Sequence, residues 1–324
     1  MEVFRHKEGL YMTFYQVLLL FLNGSLDSSL LKWSREFKRV RYHRLTAFFH
    51  KSWNAQELIA RTWQRFHPLS LGFLVIDETL LEKTVVGKLM LVALRYKSTG
   101  GYVTPGISVV MLLWSDGKWR IPLRFRIRYP GETSPTLVAL EMLSWVRNKL
   151  HWKPRCVLFD CGFSTKLMLK RLDDYGWAFV CRTPKSRTFN GMKLFQYKRQ
   201  GFWNEVGEAW CGLKVRAVRR KGKFYLTNRT SWTAEMVLSW YEERDVIEEV
   251  FKILKGYCSW DCCQLRDEAA YERFLAMGVL SFLVLECERI HAPTPVTIYQ
   301  LREQAILSPV MFKPRALKRL SLAA

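Results

Sequence analysis

The spacing of apolar residues divides the chain into a helical beginning, a strand-rich middle and a helical end. Up to residue 70, apolar side chains such as Leu18 and Leu22 recur among polar ones at helical intervals. Short apolar runs typical of strands then follow, and the first of these ends at Asp77. We therefore predict a helical region at residues 1–70 and a sheet that begins just after it.

The middle of the chain predicts hairpins followed by crossover connections. Strands are predicted over residues 72–77, 89–96, 102–114, 119–129, 156–160 and 177–181. Helices are predicted between the later strands, over residues 134–150 and 164–175. An antiparallel start joined to parallel strands through helices is typical of the ribonuclease-H-like fold, an α/β fold with a mixed sheet and flanking helices.

Residues 182–232 break this rhythm and are predicted to form a basic, β-rich insertion. Its basic side chains are Arg182, Lys185, Arg187, Lys193, Lys198, Arg199, Lys214, Arg216, Arg219, Arg220, Lys221, Lys223 and Arg229. Aromatic residues are interleaved with them, a combination that attracts phosphates and offers rings on which exposed bases stack. An ordinary aromatic core would explain the rings equally well, and both interpretations can hold together.

Composition favours a folded, nucleic-acid-binding protein. Of 324 residues 49% are hydrophobic, enough for a substantial core, and 51 Lys and Arg against 29 acids give a net charge of +22. Basic residues cluster in the helical beginning, at Lys32, Arg35, Lys38, Arg39, Arg41 and Arg44. We predict that this region binds DNA, although a solvated helix face has the same pattern. Others lie in the tail at residues 291–324, at Lys313, Arg315, Lys318 and Arg319.

The same sequence argues against a membrane or secreted protein. The apolar runs are too short to cross a bilayer or are interrupted by polar residues, and no signal-peptide cleavage site follows the early one. Eight scattered cysteines predict free thiols. We expect a cytoplasmic protein with no membrane partner.

Two carboxylates occupy matching positions at the ends of predicted strands. Asp77 follows Phe-Leu-Val-Ile and Asp160 follows Cys-Val-Leu-Phe. A charge beside a buried strand is costly unless a cation or hydrogen bonds meet it, so the pair predicts a shared metal site. Either residue alone would be explained by a turn.

A predicted helix over residues 234–255 supplies the third acid. Tyr241, Arg244, Glu248 and Lys255 fall within about 60° of one another on a helical projection. An acid among phosphate-seeking groups suits metal-dependent phosphoryl transfer, with Glu248 on the metal and the other three on the DNA backbone. The competing interpretation is a solvated charged helix face.

These residues resemble the insertion-sequence DDE transposases that carry the Tyr-Arg-Glu-Lys signature, a branch of the ribonuclease-H-like superfamily. The matching segments are Ile76–Thr79, Phe159–Phe163, Leu226–Asn228 and Tyr241–Lys255. The resemblance implies that Asp77, Asp160 and Glu248 are catalytic and bind two Mg²⁺ ions, for which Mn²⁺ can substitute. It also implies that Tyr241, Arg244 and Lys255 contact the DNA end. Glu78 departs from the pattern, since many relatives have a second Asp there.

The resemblance further implies a transposase that cleaves transposon ends and joins them to target DNA. Its partners would be double-stranded DNA, as terminal inverted repeats and target, and a second copy of the chain in a homodimeric synaptic complex. It would work on the nucleoid of a prokaryotic cytoplasm. A ring of the insertion would stack on a displaced base, with Trp203, Trp210 and Trp232 as candidates, and Arg182, Arg187, Arg219, Arg220 and Lys221 would contact DNA.

Two alternatives use the same residues. One is a ribonuclease-H-like DNA endonuclease without strand transfer, and the other is a domesticated DNA-binding protein without catalysis. The predicted organisation is a helical DNA-binding region at 1–70, a catalytic core at 71–181 and 233–290, the insertion at 182–232, and the tail at 291–324.

Overall fold

The computed structural model describes residues 8–23, 30–37, 41–67, 71–83, 91–97, 101–131, 134–197, 201–307 and 314. Its helices are α1 (Glu8–Asn23), α2 (Leu30–Phe37), α3 (Tyr42–His50), α4 (Ala55–Phe66), α5 (Pro135–Lys149), α6 (Lys166–Asp174), α7 (Ala234–Glu242), α8 (Val246–Tyr257), α9 (Glu268–His291) and α10 (Ile298–Leu307). Its strands are β1 (Phe73–Glu82), β2 (Ala93–Lys97), β3 (Tyr102–Ser115), β4 (Arg120–Arg128), β5 (Val157–Phe159), β6 (Phe179–Thr183), β7 (Thr188–Phe189), β8 (Met192–Lys193), β9 (Trp203–Glu208), β10 (Lys214–Arg220) and β11 (Lys223–Thr227).

One mixed sheet organises the described residues, as the sequence predicts. Its strands run in the order β2-β3-β1-β5-β6-β11-β10-β9, and β4 pairs with β3. Strand β1 pairs antiparallel with β3 on one side and parallel with β5 on the other. Strand β5 continues the parallel pairing with β6. The prediction of an α/β fold with a mixed sheet and flanking helices is confirmed.

The basic, β-rich segment is joined directly to this sheet. Strand β11 pairs antiparallel with β6, β10 pairs with β11, and β9 forms the far end. Only β7 and β8 form a separate small ladder within the described residues. The strands predicted as an insertion thus extend the sheet that carries Asp77 and Asp160.

The N-terminal helices pack on one long buried helix. Helices α1, α3 and α4 contact α9, whose residues from Phe274 to Leu285 are buried around the whole helix circumference. Phe274 lies at the centre of an aromatic cluster, with ring centroids 4.9 Å from Phe21, 5.5 Å from Phe49 and 6.5 Å from Trp33. The apolar residues of the helical beginning therefore form a common core with α9, a partner that the sequence analysis does not predict.

The basic residues of this region divide into two groups. Lys32, Arg35, Arg41 and Arg44 have exposed side chains. Lys38 and Arg39, and the tail residues Lys313, Arg315, Lys318 and Arg319, lie outside the described residues. Among the helices that the structure describes, none is both long and apolar enough to cross a membrane.

A buried ion network ties β4, α8 and α9 together. Glu286 of α9 is fully buried and accepts hydrogen bonds from Arg120 Nε at 3.0 Å and Nη2 at 2.7 Å. Arg289 donates to the same carboxylate at 2.7 Å. Arg120 Nη1 also lies 2.9 Å from Oε1 of Glu249 in α8. Because Glu249 follows Glu248 directly, Arg120 connects the helix that carries Glu248 to the core.

Gly278 provides a test of how tightly α9 is packed. A Cβ atom at Gly278 would lie 2.6 Å from Cδ1 of the buried Trp260 and 2.7 Å from the Cys258 carbonyl oxygen. We expect Gly278→Ala to lower the free energy of unfolding by about 1–3 kcal/mol, as overpacking does in a filled core. Gly256 of α8 has open space at the same position, so Gly256→Ala should be neutral or stabilising by up to about 1 kcal/mol. Urea denaturation of both variants measures the difference, and equal effects would contradict the close packing.

Candidate active site

Asp77 and Asp160 are brought together by neighbouring strands. Ile76 is paired with Phe159 in the parallel ladder of β1 and β5, so the two aspartates occupy equivalent positions one residue further on. Asp160 follows the end of β5, as predicted, and accepts a hydrogen bond from the Cys161 amide. The negative charge of Asp160 raises the pKa of Asp77.

The prediction that Asp77 ends its strand is wrong. Strand β1 continues to Glu82, because β3 is long enough to pair with all ten of its residues. Only the parallel pairing with β5 stops at Ile76. Asp77 is therefore the first residue of β1 that no longer pairs with β5.

Glu248 comes from a helix that the sequence predicts as continuous, and this prediction is also wrong. Helix α7 ends at Glu242, a 3-10 turn covers Glu243–Asp245, and α8 begins at Val246. The turn changes the angle between residues on either side of it, so the helical projection that groups Tyr241, Arg244, Glu248 and Lys255 does not apply across it. Arg244 is buried, whereas the Glu248 side chain is 59% exposed.

Arg244 lies between two of the three acids. Its Nη1 donates a hydrogen bond to Asp77 Oδ2 at 2.7 Å, and its Nη2 donates to Glu248 Oε1. The guanidinium also lies 5.7 Å from the ring centroid of Tyr241. One cation thus joins the carboxylates of β1 and α8, and the side chain predicted to grip DNA is directed into the acidic centre.

Tyr241 and Lys255 flank this centre. The Tyr241 ring packs edge-on against Tyr225, with centroids 4.7 Å apart, and burial raises the pKa of its hydroxyl well above the ordinary value. Lys255 Nζ donates to the Leu80 carbonyl oxygen at 2.8 Å, on the same strand as Asp77. All four residues of the predicted signature therefore lie beside β1 or β11.

The predicted DNA contacts of the β-rich segment differ in accessibility. Lys221 and Arg220 are exposed at the turn between β10 and β11, while Arg182 and Arg187 are half-buried. Arg182 follows Cys181, which is paired with Phe159, so it lies beside Asp160. Arg219 is half-buried, with its guanidinium carbon 5.7 Å from the Phe224 ring.

The three candidate tryptophans have different environments. Trp203 is buried against Phe189 and Tyr197, with centroids 5.7 Å and 4.8 Å away, so its ring belongs to the core and is closed to a base. Trp210 is half-buried, with the Arg187 guanidinium 5.0 Å from its ring. Trp232 is half-buried and stacks on Trp240 at 5.9 Å. Of the three, Trp210 and Trp232 remain candidates for base stacking.

The electrostatics of Asp77 reflect its position inside the sheet. Burial raises its pKa to about 6, opposed by the charge of Arg244 and by a hydrogen bond from the Glu78 amide, and reinforced by Asp160. The side chain is 18% exposed. Desolvation thus outweighs the Arg244 cation, and a further positive charge would be stabilised here.

The raised pKa predicts a pH-dependent stability difference. Folded Asp77 holds its proton more tightly than the unfolded chain, so its contribution is fully present below about pH 4 and is lost as the pH rises through about 6. Relative to Asp77→Asn, the wild-type free energy of unfolding should fall by on the order of 3 kcal/mol across this interval. Urea denaturation of both proteins in EDTA over this pH range measures it. Parallel curves for the two proteins would contradict the assignment.

The three acids form a donor set that suits a hard divalent cation. Carboxylate oxygens are the ligands that Mg²⁺ and Mn²⁺ prefer. The oxygens of Asp77 and Glu248 already bind one positive charge, the guanidinium of Arg244. As the described side chains are placed, no three His, Cys, Asp or Glu residues are grouped closely enough to hold a metal ion.

Comparison with solved structures finds a protein of similar fold. The fold is similar to a piggyBac transposase seen by cryo-electron microscopy in a synaptic complex with hairpin DNA, with a TM-score of 0.57 and 11% sequence identity. The likeness covers 97% of this chain and 73% of that one. Residues 73–284 match the transposase DDE domain, and the chain belongs to this family. No curated protein matches the chain.

Two further elements of the site escape sequence reasoning. Arg120, which ties α8 to α9, and Arg128, which lies 2.5 Å from Glu78, both belong to β4. Their partners are 50 to 166 residues away along the chain. The alternation of arginines in β4 marks one face of a strand, but no spacing in the sequence identifies such distant acids.

Proposed function

We propose that this transposase cleaves transposon ends and joins them to target DNA at a centre formed by Asp77, Asp160 and Glu248. The observation that carries the proposal is that Asp77 and Asp160 occupy equivalent positions of adjacent parallel strands, while Arg244 ties Glu248 to Asp77. These acids come from residues far apart in sequence, and a carboxylate as buried as Asp77 is costly unless a cation or hydrogen bonds meet it. Membership of the DDE family supports the same assignment.

In this proposal the three carboxylates would hold two Mg²⁺ ions, or Mn²⁺ in their place. Bound divalent cations of this kind activate water or a 3′-hydroxyl and stabilise the leaving oxygen of a phosphodiester. Asp77, with its pKa near 6, is ionised at neutral pH and ready to bind a cation. Asp160 is held in place by the Cys161 amide, which fixes one oxygen and leaves the other for a ligand.

Arg244 would change partners when the centre is loaded. It neutralises Asp77 and Glu248 in the absence of a divalent cation, and a cation bound to those oxygens would release the guanidinium toward a DNA phosphate. The Tyr241 hydroxyl and the Lys255 ammonium, on either side of it, would bind the same strand. This arrangement matches the roles that the Tyr-Arg-Glu-Lys signature of insertion-sequence transposases implies.

The rest of the proposal concerns DNA. The net charge of +22 and the exposed basic residues of α2, α3 and the β10–β11 turn support binding of terminal inverted repeats and target DNA. We also propose a ribonuclease-H-like core, an N-terminal DNA-binding region and a homodimeric synaptic complex on prokaryotic DNA. The order of β4, β3, β1, β5 and β6, antiparallel and then parallel, supports the first of these.

Incubation of the protein with Mg²⁺ and the DNA that flanks its own gene tests the function. Joined products would support a transposase, nicks without joining would support an endonuclease, and binding without cleavage would support a non-catalytic DNA-binding protein. Replacement of Mg²⁺ by EDTA should stop both cleavage and joining. Cleavage that persists in EDTA would contradict a metal-dependent centre.

A further inference from the structure

Two arginines and one glutamate form a cluster next to the acidic centre, on the other face of the sheet. Glu78 follows Asp77 directly, so their Cα atoms are about 3.8 Å apart and their side chains point to opposite faces. Arg128 Nη1 lies 2.5 Å from Glu78 Oε1. Arg95, on β2, is close enough that Arg128 and Glu78 both affect its pKa.

The strand register explains why these three side chains meet. Strand β3 lies between the others, with Val110 paired with Glu78, Ser108 paired with Arg128, and Thr104 paired with Arg95. These β3 positions are separated by even numbers, so their partners share one face of the sheet. The cluster is therefore a product of the fold, since Glu78, Arg95 and Arg128 belong to three different strands.

The cluster has more positive charge and more donors than its own residues satisfy. Two guanidinium groups face one carboxylate, and burial and the charge of Arg128 lower the pKa of Arg95. Within the described part of the chain, Arg95 Nε, Arg95 Nη2 and Arg128 Nε are buried without a hydrogen-bond partner. A buried donor without an acceptor is costly, unless a ligand accepts its hydrogen bond.

Two other buried arginines of the protein, Arg120 and Arg302, have hydrogen-bond acceptors within the fold. Arg120 donates to Glu286 through two nitrogens and pairs with Glu249 through the third. Arg302, which is fully buried, donates from Nε to the Tyr257 carbonyl at 3.0 Å and from Nη1 to the Leu22 carbonyl. Arg120 and Arg302 thus donate to acceptors within the fold, unlike the nitrogens of Arg95 and Arg128 named above, a state that Arg244 Nε of the acidic centre shares.

We propose that Arg95 and Arg128 bind a phosphate group of the DNA backbone on the face of the sheet opposite the cleavage centre. A phosphodiester supplies the anionic oxygens that match two guanidinium forks and offset the excess positive charge. The inference rests on the proposed function, since the phosphate belongs to the DNA that Asp77, Asp160 and Glu248 would cut. Glu78 holds Arg128 in place and leaves its Nε and the Arg95 donors for the ligand.

The test is DNA binding by Arg95→Gln in EDTA, where no cleavage occurs. Fluorescence anisotropy with a labelled duplex of about 30 base pairs should give roughly tenfold weaker binding than the wild type, for any DNA sequence. The slope of log affinity against log salt should decrease by about 1, as expected for one lost phosphate contact. The melting temperature should stay unchanged or rise, because the variant removes an unpaired, repelled guanidinium.

Arg126→Gln is the matched control. Arg126 lies two residues from Arg128 on the same face of β4, but it is paired with the exposed Glu141. Its replacement should change DNA affinity less than about twofold. Arg128→Gln should weaken binding as Arg95→Gln does, with some loss of stability from the broken pair with Glu78.

The outcomes separate this site from the proposed function. If the wild-type protein binds the duplex and Arg95→Gln binds it equally at every salt concentration, the phosphate site is wrong and the function stands. If Arg95→Gln lowers the melting temperature and leaves the salt slope unchanged, Arg95 has a structural role only. If the wild-type protein does not bind duplex DNA, both proposals are overturned.

Discussion

Glu248→Gln should abolish Mg²⁺-dependent DNA cleavage while leaving DNA binding nearly unchanged. The amide has almost the same shape but lacks the negative charge that a divalent cation requires. We expect the cleavage rate to fall by roughly a thousandfold or more, equivalent to about 4 kcal/mol of lost transition-state stabilisation. The Glu248 side chain is 59% exposed, so the substitution should not destabilise the fold.

Glu249→Gln is the matched control for this experiment. Glu249 is the next residue of α8, its side chain is 49% exposed, and it pairs with Arg120. The same chemical change one position along the helix should leave most of the cleavage activity. Gel assays of cleavage and anisotropy of DNA binding, made on the same preparations, separate the two functions. A Glu248→Gln protein that still cuts at the wild-type rate would remove Glu248 from the centre.

Arg244→Gln should make the protein depend on a divalent cation for its stability. The Arg244 side chain is 9% exposed, and its loss leaves Asp77 without the cation that balances it. Breaking such a buried pair costs about 3 kcal/mol in the absence of metal. Mn²⁺ competes with no guanidinium in the variant, so it should raise the melting temperature of the variant more than that of the wild type.

Arg61→Gln is the control for the metal effect. Arg61 pairs with Glu57 at the same i,i+4 spacing as Arg244 with Glu248, but on α4 and with its side chain 33% exposed. Its loss should cost less than about 1 kcal/mol and leave the response to Mn²⁺ unchanged. Differential scanning fluorimetry over a Mn²⁺ titration measures both effects. If Mn²⁺ stabilises the Arg244 variant and the wild type equally, Arg244 does not compete for the metal ligands.

The sequence predicts the fold well where local patterns determine it. The apolar runs of β1, β3, β4 and β5 place these strands in the right part of the chain, although β1 continues to Glu82, and the order of elements predicts the mixed sheet. The DDE family is also predicted correctly. The catalytic and DNA-binding roles of individual residues stay predictions.

The errors occur where strand pairing, side-chain packing or a break in a helix decides the structure. Asp77 lies within β1 because β3 extends the strand, and Trp203 is buried because Phe189 and Tyr197 pack around it. The helical projection treats Arg244 and Glu248 alike, although the 3-10 turn buries one and exposes the other. The pairing of Glu78 with Arg128 depends on the register of β3, which no local pattern specifies.

The position of α9 has a consequence for how the chain is made. Helices α1, α3 and α4 pack on α9, yet α4 ends at Phe66 and α9 begins at Glu268, about 200 residues later. At synthesis rates of about 5–20 residues per second, the first helices leave the ribosome roughly 10–40 seconds before their partner exists. During that interval Phe21 and Phe49 are exposed to water or to a chaperone. A nascent chain that stalls before Glu268 should therefore aggregate or bind a holdase chaperone.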